Sequence, residues 1–215
     1  DRSPSRGLGD VYKRQEYAFA YCSNLTSIDI PNSVEKIGKA AFYNCSNVQT
    51  LSFGENLKSI GDYAFSGLSL VENLTLNQSL ESIGNYAFKG LESLKSIVLL
   101  DHIQVLGQHC FYGCKNLTIY TNAESLLGEW HNRFNSLYRP IFWGVELDEN
   151  NNIISIHISE TSFNNRQASN GINSPTMNGQ TIAYWQDENN TKYTTEELIN
   201  IDRDCKLVAV YTTEN

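Results

Sequence analysis

Apolar residues recur with a period of 23 along the chain from Tyr17 to Leu117. Phe19, Phe42, Phe65, Phe88 and Phe111 form one column, and Ile28, Leu51, Leu74 and Ile97 another. Leu25, Val48, Val71, Leu94 and Leu117 make a third, and Val34, Leu57, Leu80 and Ile103 a fourth. Gly38, Gly61, Gly84 and Gly107 keep the same phase. A fixed period of about 20–50 residues marks a solenoid, in which one copy cannot bury its own apolar face and neighbours must stack. Within each copy, Leu25-x-x-Ile28-x-Ile30 ends in the two-residue alternation of a strand with one face buried. A turn follows (Pro31-Asn32-Ser33, Gly54-Glu55-Asn56, Asn77-Gln78-Ser79), then the short apolar pair Val34-x-x-Ile37. The Gly column after it permits positive φ or close backbone approach, which predicts a tight corner. Lys39 to Cys45 suits one helical turn with Ala and Phe turned inward. Five such copies, with strands about 4.8 Å apart in a parallel sheet, make a slab roughly 20–25 Å long.

Residues alternating with the buried strand positions should face outward on the sheet. They are Ser27, Thr50, Asn73 and Ser96 in one column and Asp29, Ser52, Thr75 and Val98 in the next. Repeat proteins present such concave arrays to partners, and small hydroxyl and amide groups suit hydrogen bonding to a polypeptide or a glycan. The same positions also serve as plain solvated strand surface, where Thr sits comfortably. Cys22, Cys45 and Cys114 share a column with Leu68 and Leu91, and Cys110 replaces Ala18, Ala41, Ala64 and Ala87. A column that accepts Leu is an apolar slot, in which free Cys is a good small hydrophobe. The rival readings are a disulfide between Cys22 and Cys45, or a metal at His109, Cys110 and Cys114.

These columns carry a resemblance. The pattern I-G-x-x-A-F-x-x-C-x-x-L-x-x-I-x-I-P-x-S-V, nearly intact at Gly38–Leu51 and Phe19–Val34, resembles the BspA-type leucine-rich repeat of bacterial surface proteins. The resemblance covers residues 16 to about 120. It implies a leucine-rich repeat solenoid with a parallel sheet face and short helical turns. It also implies surface exposure on a bacterium, or less often a protist, and adhesion to protein or glycan on a host or neighbouring cell.

The phase fails after Leu117. Ile119-Tyr120 still reads as a strand, and then come Ala123-Glu124-Ser125, Trp130, Phe134, Tyr138, Pro140, Ile141, Phe142 and Trp143. A last repeat leaves an apolar face open, so residues 121–144 are expected to form a terminal cap. A carbohydrate platform is the rival reading of Trp130 and Trp143. From Val145 the composition shifts. Glu146–Asp148 and Ile153–Ile158 read as a hairpin around Glu149 to Asn152, Asn164–Gln180 as loop, and Thr181–Trp185, Lys192-Tyr193 and Lys206–Tyr211 as strands. Thr195–Ile201 reads as a short helix started by Thr194 or Thr195 with Glu197. Residues 145–215 resemble the internalin-type B repeat, a small α+β, β-grasp-like module. The resemblance rests on Pro175, Gly179, Trp185, Lys192-Tyr193, the Asp202–Asp204 turn and Leu207 to Tyr211. It departs at Tyr184, where Gly usually precedes the Trp, and at Tyr211, where Trp usually ends the strand. Trp185 is expected in the core.

Composition narrows the function. The net charge of −8 and scattered basic residues argue against a nucleic-acid partner. No run of about 18 apolar residues offers a transmembrane segment. Residues 1–15 resemble translated read-through of a sequencing adapter at the end of a metagenomic fragment. They break the repeat, since Arg14 and Gln15 stand where isoleucine and glycine are expected. If so, an N-terminal cap is missing, and self-association through the open parallel edge at Phe19, Leu25 and Ile28 is expected. No G-x-S-x-G, H-E-x-x-H, P-loop or G-x-G-x-x-G occurs, and His102, His109, His131 and His157 sit in unrelated contexts. Asp148 to Asn152 could hold calcium but lacks the alternation of a dedicated loop, so a hairpin turn is the simpler reading. The chain is therefore expected to be a non-enzymatic binding protein without cofactor or metal. The alternatives are a passive stalk, or an accessory arm of a surface hydrolase encoded outside this fragment.

Overall fold

The computed structural model describes residues 13–14, 16–135, 139–159, 163–164, 171–177 and 180–212. Most of the segment read as adapter sequence, 1–12 and 15, lies outside the described residues. Its Lys13–Arg14 pairs in parallel with Lys36–Ile37, in the register of the repeat.

Two ladders of parallel strands run along the solenoid. The short-rung ladder joins Lys13–Arg14, Lys36–Ile37, Ser59–Ile60, Ser82–Ile83, Val105–Leu106 and Glu129–Trp130 in that order. The long-rung ladder has Ser27–Ile30 paired with Thr50–Phe53, and Ser96–Leu99 paired with Thr118–Thr121 and then Ile141–Phe142. Phe163–Asn164 closes it with an antiparallel pair to Ile141–Phe142. Between the two halves, Leu74 to Leu76 form no strand, and Asn73 alone bridges Ser96.

The recurring phenylalanines stack face to face through the middle. Ring centroids lie 5.2, 5.4, 5.8 and 5.8 Å apart from Phe19 to Phe111, with planes within 7° of parallel. Their apolar column-mates fill the same core.

The third side differs from the expected helical turn. Its N–H groups alternate between the next copy and a turn three residues back: Phe42 donates to the carbonyl of Ala64 and Phe65 to that of Ala87, whereas Ala41 and Tyr43 donate to those of Gly38 and Ala40. Each copy also holds two left-handed residues, such as Tyr63 (φ 57°) and Gly67 (φ 87°), which a helix cannot accommodate. Among the described residues the only helix is the 3-10 turn Glu196–Asn200. The Gly corners are explained by close approach. A Cβ on Gly84 would lie 2.6 Å from the Asp62 nitrogen, and one on Gly107 2.5 Å from that of Asn85.

Segment 121–144, expected as a cap, continues both ladders as a further turn. Its phase slips by one residue in opposite directions. Val98, Tyr120 and Phe142 align at steps of 22, whereas Leu106 aligns with Trp130 at 24. Phe134 stands 23 after Phe111 and is buried in the same core.

Beyond Val145 an antiparallel sheet runs in the order Glu146–Leu147, Ile153–Ile158, Cys205–Tyr211, Gln180–Gln186, Thr176–Met177, with Lys192–Tyr193 on the Gln180–Gln186 strand. The hairpin and the three later strands stand where the sequence places them. Thr176–Met177 adds a strand inside the expected loop; residues 165–170 and 178–179 of that loop, Gly179 among them, lie outside the described residues. Thr194 and Glu197 reciprocally bond side chain to backbone at 2.6 and 3.3 Å, a capping box at the 3-10 turn. Trp185 is fully buried and donates Nε1–H to Thr195 Oγ1 at 2.9 Å.

Candidate functional site

Six of the eight sheet-face residues stand open. Ser27, Asp29, Thr50, Ser52, Asn73 and Thr75 are exposed. The first four lie side by side in register, Ser27 opposite Thr50 and Asp29 opposite Ser52. Ser52 donates its hydroxyl to Asp29 Oδ1 at 2.5 Å. The expectation fails for Ser96 and Val98, which are 7% and 6% exposed. The reason is a second core. Val98, Leu100, Tyr120 and Phe142, from the outward side of the long ladder, pack with Ile153, Ile156, Trp185 and Leu207 of the C-terminal sheet. The burial is anchored by polar bonds: Tyr120 donates to the Asn173 carbonyl at 2.9 Å, and the Asn173 N–H to Thr118 Oγ1 at 2.9 Å. The C-terminal module therefore closes half of the face.

At the boundary lies a cleft. A cavity of about 530 Å³ is bordered by Glu55, Asn56, Thr75, Asn77 to Ser79, Val98, Leu100 and the hairpin turn Asn150–Asn151. A smaller one of about 260 Å³ adjoins it on the other side of Thr75, Leu76 and Asn77, reaching Ser52 and Phe53. The lining is mostly amides and hydroxyls, groups that donate and accept. In the sequence the solenoid residues Glu55, Asn56 and Asn77 to Ser79 read only as turn formers. Their recurrence beside the strand was the available signal.

The other candidates resolve as structure. Cys45, Cys110 and Cys114 are buried, and their thiols donate to the carbonyls of Phe19, Gly107 and Phe88. Burial raises the thiol pKa of Cys110 and pushes that of Cys114 up to about 12, the reverse of what a nucleophile or ligand needs. Among the described residues no three His, Cys, Asp or Glu side chains gather as a metal cluster. Trp130 and Trp143 are 5% and 8% exposed, and Trp130 donates to the Ile103 carbonyl, so neither offers a platform. Asp148 is occupied by its own turn, with Oδ1 accepting the Asn150 and Asn152 N–H groups at 2.8 Å and Oδ2 the Asn152 side chain at 2.9 Å. The same turn recurs at Asp187, whose Oδ1 takes the N–H groups of Asn189 and Thr191 at 2.9 and 2.8 Å.

The BspA type leucine rich repeat region family matches residues 13–136 in six copies. A leucine-rich repeat protein from Bacteroides ovatus is 35% identical over 51% of this chain and 28% of its own, with a TM-score of 0.48. The leucine rich repeat protein of T. pallidum is 28% identical over 54% of this chain and 56% of its own, at 0.50. A leucine rich cell surface protein from Faecalibacterium prausnitzii is 26% identical over 50% and 28%, at 0.47. The match thus spans less than two thirds of each of these proteins. No curated protein matches the chain. Among the described residues no helix is long and apolar enough to cross a membrane.

Proposed function

Since this chain belongs to the BspA-type leucine-rich repeat family, we propose that it is a non-enzymatic binding protein of a bacterial cell surface. It captures a protein or glycan through the open half of its long-ladder face. One observation carries this reading. Ser27, Asp29, Thr50 and Ser52 stand exposed on paired strands, and the exposed Asn73 and Thr75 carry the row on into a polar cleft. The C-terminal module then acts as a spacer of the internalin B-repeat type that also walls the cleft with Asn150 and Asn151.

The test replaces Thr50, Asn73 and Thr75 with Lys and measures capture by a panel of immobilised host matrix proteins, with near-ultraviolet circular dichroism as the fold control. Three polar contacts at about 1 kcal/mol each imply roughly a hundredfold loss of affinity. Unchanged capture rules the face out. Burial of Ser96 and Val98 against the module supports a second reading, a passive stalk, and capture of nothing by the unaltered protein would favour it.

A further inference from the structure

The two cavities at the module boundary form one elongated cleft. The larger, of about 530 Å³, falls in the range of about 300–1,000 Å³ usual for small-ligand pockets. The smaller, of about 260 Å³, adjoins it across Thr75, Leu76 and Asn77, which border both. Floor and rim differ in chemistry. Leu76, Val98 and Leu100 line the larger cavity and are 7%, 6% and 5% exposed, so each shows it a small aliphatic surface. Half-buried Phe53 borders the smaller one, with its ring 5.3 Å from that of Phe65 and tilted 48° to it. Around this apolar floor stand the exposed Glu55, Asn56 and Gln78 of the solenoid and the half-buried Asn151 of the C-terminal module. Part of the rim is held in place beforehand. Asn56 gives its Nδ2 to the Asn32 carbonyl at 2.9 Å, which turns its Oδ1 free to accept. Asn77 gives its Nδ2 to the carbonyls of Glu55 and Leu57 at 3.0 and 2.8 Å. Asn151 sits on a closed turn, its N–H donating to the Asp148 carbonyl at 3.0 Å.

We propose that this cleft is a binding site for a short, neutral oligosaccharide, built jointly by the solenoid and the C-terminal module. The proposal rests on the surface-binding reading above and narrows its ligand to a glycan. A pyranose ring is amphipathic in the same sense as the cleft, with C–H groups on its faces and hydroxyls around its edge. The faces lie on Leu76, Val98 and Leu100 and beside Phe53, while the hydroxyls meet the rim. Amides there both donate and accept, as a hydroxyl does. A polypeptide added as a strand fits less well, because Ser96–Leu99 is buried along its whole length. Charge then selects among sugars. Glu55 is the one charged residue lining either cavity, and among the described residues no cation pairs with it. A uronic or sialic acid would set a second carboxylate against it, so the site prefers neutral sugars.

The probes are maltotriose, cellotriose and triacetylchitotriose, with sialyllactose as the acidic counterpart, titrated into the full chain by isothermal calorimetry. At least one neutral trisaccharide should bind and shift the side-chain amide NMR signals of Gln78 and Asn151. Sialyllactose should bind several-fold more weakly than the best neutral sugar, and Glu55→Gln should narrow that gap. Gln78→Ala should weaken neutral-sugar binding about fivefold, the worth of one hydrogen bond. Asn151→Gly should do the same, since glycine keeps the left-handed turn (φ 63°) and removes only the amide. Near-ultraviolet circular dichroism checks that both variants fold. Failure of all three neutral sugars at millimolar concentration, equal or tighter binding of sialyllactose, or unchanged affinity in both variants overturns the proposal. Capture of matrix proteins that survives their deglycosylation, with no trisaccharide bound, leaves the surface reading standing and overturns the sugar site. A trisaccharide that binds as expected, with no matrix protein captured, leaves the sugar site standing without it.

Discussion

Replacing Phe65 with Ala should be the most damaging single change in the stack, and its cost follows from position. Phe65 is fully buried, with ring centroids 5.4 Å from Phe42, 5.8 Å from Phe88 and 5.3 Å from Phe53. Truncating a buried Phe costs about 3–5 kcal/mol through lost transfer energy and the cavity left behind. Ring pairs add about 0.5–1.5 kcal/mol each, and three are lost here, so the upper end applies. Phe19, at the first copy, is only partly buried and stacks on Phe42 at 5.2 Å, so its truncation should cost about 1–2 kcal/mol. Because each repeat touches chiefly its neighbours, the effect should fall with distance from the centre. At about 2–4 °C per kcal/mol for this size, Phe65→Ala should lower Tm by roughly 10–20 °C. Urea unfolding followed by circular dichroism measures both variants. Equal losses at Phe65 and Phe19, or less than about 1 kcal/mol at Phe65, would refute the stacked-core account.

The two glycine columns should respond oppositely: Gly84→Ala forces a Cβ to 2.6 Å from the Asp62 nitrogen and should cost about 1–3 kcal/mol or more, whereas Gly90→Asn, in the left-handed column that holds Asn44, should cost less than about 1 kcal/mol. Thermal melts of the pair check this. Iodoacetamide at pH 8 should label Cys22 before Cys110 and Cys114, whose thiolates burial suppresses, and mass spectrometry showing early modification of either would contradict the buried assignment. Asp187 should make the C-terminal sheet acid-sensitive. Desolvation pushes its carboxyl pKa up, but the N–H groups of Thr191 and Asn189 and the Arg203 guanidinium outweigh that and hold it below the ordinary value. A depressed folded pKa stabilises above the unfolded value of about 3.9 and is lost as pH falls through the folded one, so Trp185 fluorescence should change below about pH 4, and Asp187→Asn should remove that step.

Strict periodicity made the solenoid legible, because five copies repeat both the buried columns and the outward ones. The hairpin at Ile153–Ile158 and the strand at Lys192–Tyr193 were equally plain, since turn-forming clusters flank short apolar runs. The absence of the helical turn has a physical reason. Lys, Ala and Phe suit a helix locally, but the N–H groups of Phe42 and Phe65 find partners one copy away. Tertiary pairing overrode propensity. The further turn within 121–144 escaped because the insertion and deletion offset each other. The long ladder advances by 22 and the short ladder by 24, so Phe134 alone keeps the phase and looks accidental.

The site was half legible, and the missing half was written in its own columns. Along the outward row the residues run Asp29, Ser52, Thr75, Val98, Tyr120, Phe142. The change from polar to apolar falls between Thr75 and Val98. Solvated strand positions do not require that change, and a covering layer does, since an open row of Val, Tyr and Phe would be a contiguous sticky patch. The buried Tyr120 hydroxyl, bonded to the Asn173 carbonyl, shows the cover is specific rather than incidental. Once the second module sits on Val98, Tyr120 and Phe142, its first hairpin must project toward the next rung down, and Asn150 and Asn151 arrive opposite Thr75 and Asn77. The cleft is thus a product of the junction. Neither unit contains it alone, and it opens beside Leu74 to Leu76, which form no strand.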